Sequence, residues 1–254
     1  MEYIKYTQKD RIVTITIDRP DRLNALNSAA MRELAECWKT FQKDVSAWVA
    51  ILTSAGDRAF TVGADIKEEN REKDERKAFE ATLAISPKHF DIDKPVICAI
   101  KGLCLGLGWW LAMDCDFRIA STDARLGIPE NRINICPYFT GIVAVHLPPA
   151  IALELLLTGN DLDVQRAKEL GFVNRVVSKD EVEKEAYKLA EAICQNGPVS
   201  VRRTKELFYK SLTLSRSETF EKAFVISEEL GKMEDRKEAV QAFKEKRKPQ
   251  WKGR

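Results

Sequence analysis

The chain has 254 residues, of which 41 are basic and 39 acidic, giving a net charge of +2, with 44% apolar and 31% charged positions. That length supports one large domain with a sizeable core, and the mixed composition argues against a disordered tail or a membrane-embedded chain. The balance of charge leaves no broad basic surface for nucleic acid or an anionic membrane, so neither is expected as a partner.

The opening Met1-Glu2-Tyr3-Ile4-Lys5 has no basic region followed by an apolar run. No later stretch reaches the ~18 uninterrupted apolar residues of a spanning helix, so a cytoplasmic location is the expectation. Residues 11–18, Arg-Ile-Val-Thr-Ile-Thr-Ile-Asp, alternate with period 2 and are rich in β-branched side chains, which predicts a strand ending at Arg19-Pro20. Asn27 or Ser28 can cap a helix whose apolar positions Met31, Leu34, Ala35, Trp38 and Phe41 recur at helical spacing. A buried strand over 47–53 follows. Strand, helix and strand imply a right-handed parallel crossover, and the unit recurs with a strand over 96–100, a helix from Gly108 and a strand over 116–120.

The charged stretch 67–76 reads as a solvated helix face or as a wall of a site. Beyond about residue 140 the pattern turns helical, over 151–157, 164–170, 180–194, 199–212, 218–232 and 236–246, with 172–177 as the only further strand. No repeat and no low-complexity linker divides the chain.

Cys37, Cys98, Cys104, Cys115, Cys136 and Cys194 show no CxxC spacing and mostly lie in apolar segments, where a thiol acts as a small hydrophobe. His89 and His146 are the only histidines and both read as structural, so no metal site is expected.

Two glycine-containing loops stand at strand ends: Phe60-Thr61-Val62-Gly63-Ala64-Asp65-Ile66-Lys67, and Lys101-Gly102-Leu103-Cys104-Leu105-Gly106-Leu107-Gly108. Glycines there often do no more than permit a tight turn. They also bare backbone N–H groups, and with a helix start beside them such groups can hold an oxygen that turns negative during reaction. The glycine spacing does not fit the dinucleotide fingerprint, so no nicotinamide cofactor is expected.

These loops occur in a succession that resembles the crotonase (enoyl-CoA hydratase/isomerase) family: Pro20-Asp21-Arg22-Leu23-Asn24-Ala25-Leu26, the Ala59 to Lys67 loop, the Gly102 to Gly108 loop, and Gly127-Ile128-Pro129-Glu130. Leu156-Leu157-Thr158-Gly159 and Ala167-Lys168-Glu169-Leu170-Gly171-Phe172-Val173 extend the likeness over nearly the whole chain. The resemblance implies an α/β fold, a spiral of ββα units over 1–195, and a helical trimerisation region over 196–254. It implies a homotrimer or a homohexamer made of two trimers, acting on an acyl-CoA. Coenzyme A would enter as part of the thioester substrate, with no permanently bound cofactor.

By the same resemblance, the N–H groups of Ala64 and Leu107 would hold the thioester oxygen. Arg22, Leu23, Asp65, Ile66 and Lys67 would line the coenzyme A site, and Phe243, Lys246, Arg247 and Lys248 would assist with its phosphates. For the last three, a solvated terminal face is an equal reading.

The chain departs from the family at two positions; at one, Leu107 stands where a glycine is usual, although its backbone N–H donates whatever the side chain. Family hydratases carry two glutamates that position a water; here Glu130 occupies the second position and Trp110 the first. Tryptophan is no base, and beside Trp109 it fills volume and excludes water, which favours the neutral form of a nearby carboxyl. One carboxylate suffices to move a proton between two carbons, so double-bond isomerisation by Glu130 is the leading expectation. Hydration is the alternative, with Glu68, Glu69 or Asp91 as a further carboxylate or with Glu130 alone. Tyr138 hints faintly at a decarboxylase and reads more simply as a packed aromatic, and the tryptophan pair hints at a cyclic acyl group. A non-catalytic binding protein is the reading from another class, opposed by the retained Pro129-Glu130.

Overall fold

The structure, a computed structural model, describes residues 1–68 and 74–254. A hairpin opens it: β1 (Ile4–Lys9) pairs antiparallel with β2 (Ile12–Ile17) around Asp10, whose φ is +53°. β1 was not anticipated, because its polar Lys-Tyr-Thr-Gln-Lys run hides the alternation. Asn27, not Ser28, caps α1 (Ser28–Lys43): its side chain accepts from Ala30 N at 2.9 Å. The inner face of α1 buries Leu34, Ala35, Trp38 and Phe41 as the spacing requires.

Each following turn of chain lays one strand in each of two sheets and then adds helix. The first turn is β3 (Val49–Ser54), β4 (Ala59–Thr61) and α2 (Glu75–Leu83). The second is β5 (Val96–Ile100), β6 (Leu103–Leu105) and α3 (Leu107–Asp114). The third is β7 (Phe117–Ser121), β8 (Arg125–Gly127), α4 (Thr140–His146) and α5 (Pro149–Thr158). β9 (Asp161–Asp163), α6 (Val164–Glu169), β10 (Arg175–Val177) and α7 (Val182–Cys194) complete the body. The larger sheet runs β1-β2-β3-β5-β7-β10, parallel after its hairpin, and the smaller runs β4-β6-β8-β9, parallel except for β9. This is the ββα spiral that the resemblance implied.

The smaller sheet is the main correction to the sequence reading, since its strands of three residues are too short to display a period. One of them, β9, is a second strand beyond residue 140. Between the sheets and α1, α3 and α5 lies the main core, including Trp38, Phe60, Trp109, Phe139 and Phe172. A second cluster on the other face of the larger sheet packs Val49, Ile97 and Ile119 under Val182, Ala186 and Ala190 of α7.

The chain ends in α8 (Pro198–Ser211), α9 (Arg216–Gly231) and α10 (Glu234–Glu245), of which α9 buries no residue. No helix among the described residues is long and apolar enough to cross a membrane.

Candidate active site

β4, β6 and β8 are adjacent and parallel, so the loops that follow them leave the same edge of the smaller sheet. Gly63, at φ +93°, lies so close to the second loop that a Cβ there would sit 3.0 Å from Leu105 O and 3.1 Å from Leu107 N. The 20–26 segment runs along the first loop: Leu26 N donates to Gly63 O at 2.8 Å and Asp65 N to Leu26 O at 2.9 Å. Between these bonds the N–H of Ala64 has no acceptor among the described residues, nor does that of Leu107 at the start of α3.

Glu130 arrives from the third strand. Gly106 N donates to Gly127 O at 3.0 Å, which sets the start of α3 against the end of β8, and the 3₁₀ turn Pro129–Ile133 carries the glutamate over it. A Cβ on Gly106 would lie 2.8 Å from Glu130 Oε1, and the backbone there (φ +58°, ψ −118°) suits glycine alone. Glu130 Oε2 is buried without a hydrogen-bond partner among the described residues. Burial pushes this carboxyl above its usual range, and a bond from its own backbone N–H offsets only part of that. The three residues expected to be catalytic, Ala64, Leu107 and Glu130, are thus brought to one place.

Neither tryptophan of α3 is a surface group. Trp109 is fully buried and stacks on Phe172 with ring centres 4.4 Å apart; Trp110 is 5% exposed and stacks on Phe139 at 5.7 Å. The volume-filling reading fits both, whereas Trp109 presents no surface to an acyl group.

A profile of the family described as enoyl-CoA hydratase/isomerase matches residues 7–254. The chain belongs to the enoyl-CoA hydratase/isomerase family, within the crotonase superfamily. It is 36% identical over 255 residues to a carnitinyl-CoA dehydratase of Proteus mirabilis, covering 98% of this chain and 97% of that one. With a short-chain-enoyl-CoA hydratase of Clostridium acetobutylicum the identity is 33%, over 95% and 94% of the two chains. An enoyl-CoA hydratase structure from Bacillus anthracis superposes with a TM-score of 0.94 at 34% identity, each chain fully covered.

In this family member the remaining expected residues divide. Arg22 is exposed at the rim and Leu23, in the left-handed region at φ +51°, accepts from Val62 N through its carbonyl. Ile66 and Lys67 project outward beside them. Asp65 turns inward: its carboxylate pairs with Arg19 at 3.1 Å and accepts from Lys67 N at 3.2 Å, so it shapes the loop. Arg19 is the residue the sequence reading missed, taken there as the end of a strand. Its guanidinium also binds Ala25 O and ties the 20–26 segment to the Ala64 loop.

Of the alternative second carboxylates, the two that are described have other partners or surroundings. Both oxygens of Glu68 accept from Ser28 N at the start of α1 and one also accepts from Ser28 Oγ, Asp91 is exposed after a 3₁₀ turn, and Glu69 lies outside the described residues. Tyr138 is 64% exposed and makes a T-shaped ring contact with Phe79 on α2. His146 is held near a pKa of about 4 by burial, with the charges of Arg118 and Lys88 adding to it, and packs edge-on to Phe172. Phe243 is 85% exposed and Lys246 follows α10 in the left-handed region. Arg247 is occupied by Glu238 and Glu245.

Proposed function

We propose that this family member binds an acyl-CoA thioester and shifts a double bond along the acyl chain, with Glu130 as the sole proton carrier. The observation that carries the reading is the half-buried Glu130 carboxylate, one oxygen close to Gly106 and the other buried without a partner among the described residues, near N–H groups of Ala64 and Leu107 that find no acceptor there either. Glu130 takes a proton from the carbon next to the thioester, and the electron pair moves onto the carbonyl oxygen, where the two N–H groups stabilise it. Return of the same proton from Glu130 to the γ-carbon regenerates the carboxylate and leaves the double bond conjugated with the thioester. The raised pKa suits a group that must both accept and give a proton near neutrality.

Trp110 supports isomerisation over hydration, because it fills the position of a second carboxylate with a nearly buried indole. Hydration is the second reading, favoured by the likeness to a short-chain-enoyl-CoA hydratase and to carnitinyl-CoA dehydratases. The exposed rim formed by Arg22, Ile66 and Lys67 is suited to the coenzyme A portion. We further infer a homotrimer or a hexamer of two trimers, with 1–195 as the catalytic spiral and 196–254 as the associating part. Phe208, Phe220, Phe224 and Phe243 on α8–α10 are each more than half exposed in the single chain, which supports it.

Glu130→Gln tests the assignment of the proton carrier. Turnover of 3-hexenoyl-CoA should fall by about 10²–10⁴-fold with the fold retained. A variant within about tenfold of the native rate would remove Glu130 from the mechanism.

A further inference from the structure

Away from Glu130, a cavity of about 220 Å³ opens where the ends of α1 and α7 meet the start of α8 and the chain's last residues. Four cations line it, Arg11, Lys94, Arg202 and Lys252, with Trp48 and Val201 among its apolar walls, and no Asp or Glu is among the lining residues. Bringing like charges together in a partly enclosed space is unfavourable unless counter-charge is supplied.

The protein itself supplies little. Arg11 Cζ stands over the Trp48 ring, 3.4 Å from its centre, a contact that uses the face of the guanidinium and none of its N–H donors. Arg202 Nε is buried without a hydrogen bond among the described residues, and the Asp93 carboxylate stands off at 3.9 Å. Lys94 is 3% exposed and donates to the carbonyls of Phe41 and Asp44, both at 2.6 Å, which leaves one ammonium hydrogen. Burial lowers the Lys94 pKa, and Arg202 pushes it the same way against Asp44 and Asp93. Lys252 is paired more loosely with Glu234, at 3.4 Å.

The cavity's position adds to the charge. Pro198, Val201 and Arg202 belong to the first turns of the 14-residue α8, whose N-cap Gly197 offers no side-chain acceptor. The wall formed by Lys252 and Gly253 is fixed, because both N–H groups donate to Asp235, at 2.7 and 2.8 Å.

We propose that this cavity is a binding site for a small oxyanion, a phosphate or the carboxylate of a short organic acid, held by Arg11, Lys94 and Arg202. It lies below the ~300–1,000 Å³ of ordinary ligand pockets, which suits a small anion and not a whole CoA thioester. The planar forks of the two arginines match the paired oxygens of either group.

Isothermal titration of the full-length protein with sodium phosphate and, separately, sodium butyrate, at constant ionic strength, tests the site. At least one probe should saturate a single site, and that probe names the ligand class. Arg202→Gln and the exposed Arg11→Gln should each weaken it by about tenfold or more while thioester turnover stays at the native rate. Absence of saturable binding by both probes, or unchanged affinity in both variants, would overturn the proposal.

Discussion

The spiral body and the three C-terminal helices treat their phenylalanine and tryptophan side chains differently. Between the sheets and α1, Trp38, Phe41, Phe60 and Phe139 are almost wholly removed from solvent, and Trp38 Nε1 still finds Ile85 O at 2.7 Å. In α8–α10, by contrast, only Pro198, Asp235 and Ala242 are buried, while Phe220 and Phe224 on α9 are 64% and 67% exposed. The body thus packs most of its large aromatic side chains within one chain, while Ile133, Val145, Leu153 and Leu157 around α4 and α5 stay about half exposed or more; the terminal helices leave phenylalanines exposed, a surface suited to a second chain.

The comparison breaks most visibly at Trp38. Trp38→Ala should destabilise the chain by about 3–5 kcal/mol in urea unfolding, since it opens a cavity in a packed core and leaves Ile85 O without its donor. A loss below about 1 kcal/mol would show that this core relaxes around the gap. Gly106→Ala should come next. A backbone at φ +58° and ψ −118° lies outside the left-handed helical well and costs a side chain about 1–3 kcal/mol, and the new methyl group would strike the Glu130 carboxylate, so turnover should fall with stability.

Glu130→Gln probes the strain of a buried carboxyl. Because the folded-state pKa is raised, the unfolded chain loses its proton first, at its ordinary value of 4.5. Stability therefore declines as pH rises from there through the higher folded value. The glutamine variant should accordingly melt above the native protein at neutral pH and with it in acid. The rate of the native enzyme should show an acidic limb above the ordinary carboxylate range. The smallest effect is expected at the other region: Phe224→Ala should change the unfolding free energy of dilute, dissociated chain by about 0.5 kcal/mol or less. The same change should weaken self-association, read by sedimentation against concentration.

What could be read from sequence follows the same division by signal. The face of α1, the strand β2 and the C-terminal helices announce themselves by period, and the glycine loops with Pro129-Glu130 locate the three residues that meet at one sheet edge. The four strands of the smaller sheet were invisible at three residues each, and α3, buried all round, has no period to say where Trp109 and Trp110 point. The Arg19–Asp65 pair joins residues 46 apart, and nothing local in Arg-Pro marks the arginine as a brace for the Ala64 loop.

The central claim is that a single carboxylate moves a proton without adding water. Its most direct test is the mass of the product that native protein forms from 3-hexenoyl-CoA, beside a parallel incubation with crotonyl-CoA. A product of unchanged mass from the former, with its double bond conjugated to the thioester, and little or no reaction of the latter, is what a one-glutamate isomerase must give. Efficient gain of one water by crotonyl-CoA would contradict it and make this chain a hydratase that works with tryptophan at the first glutamate's position.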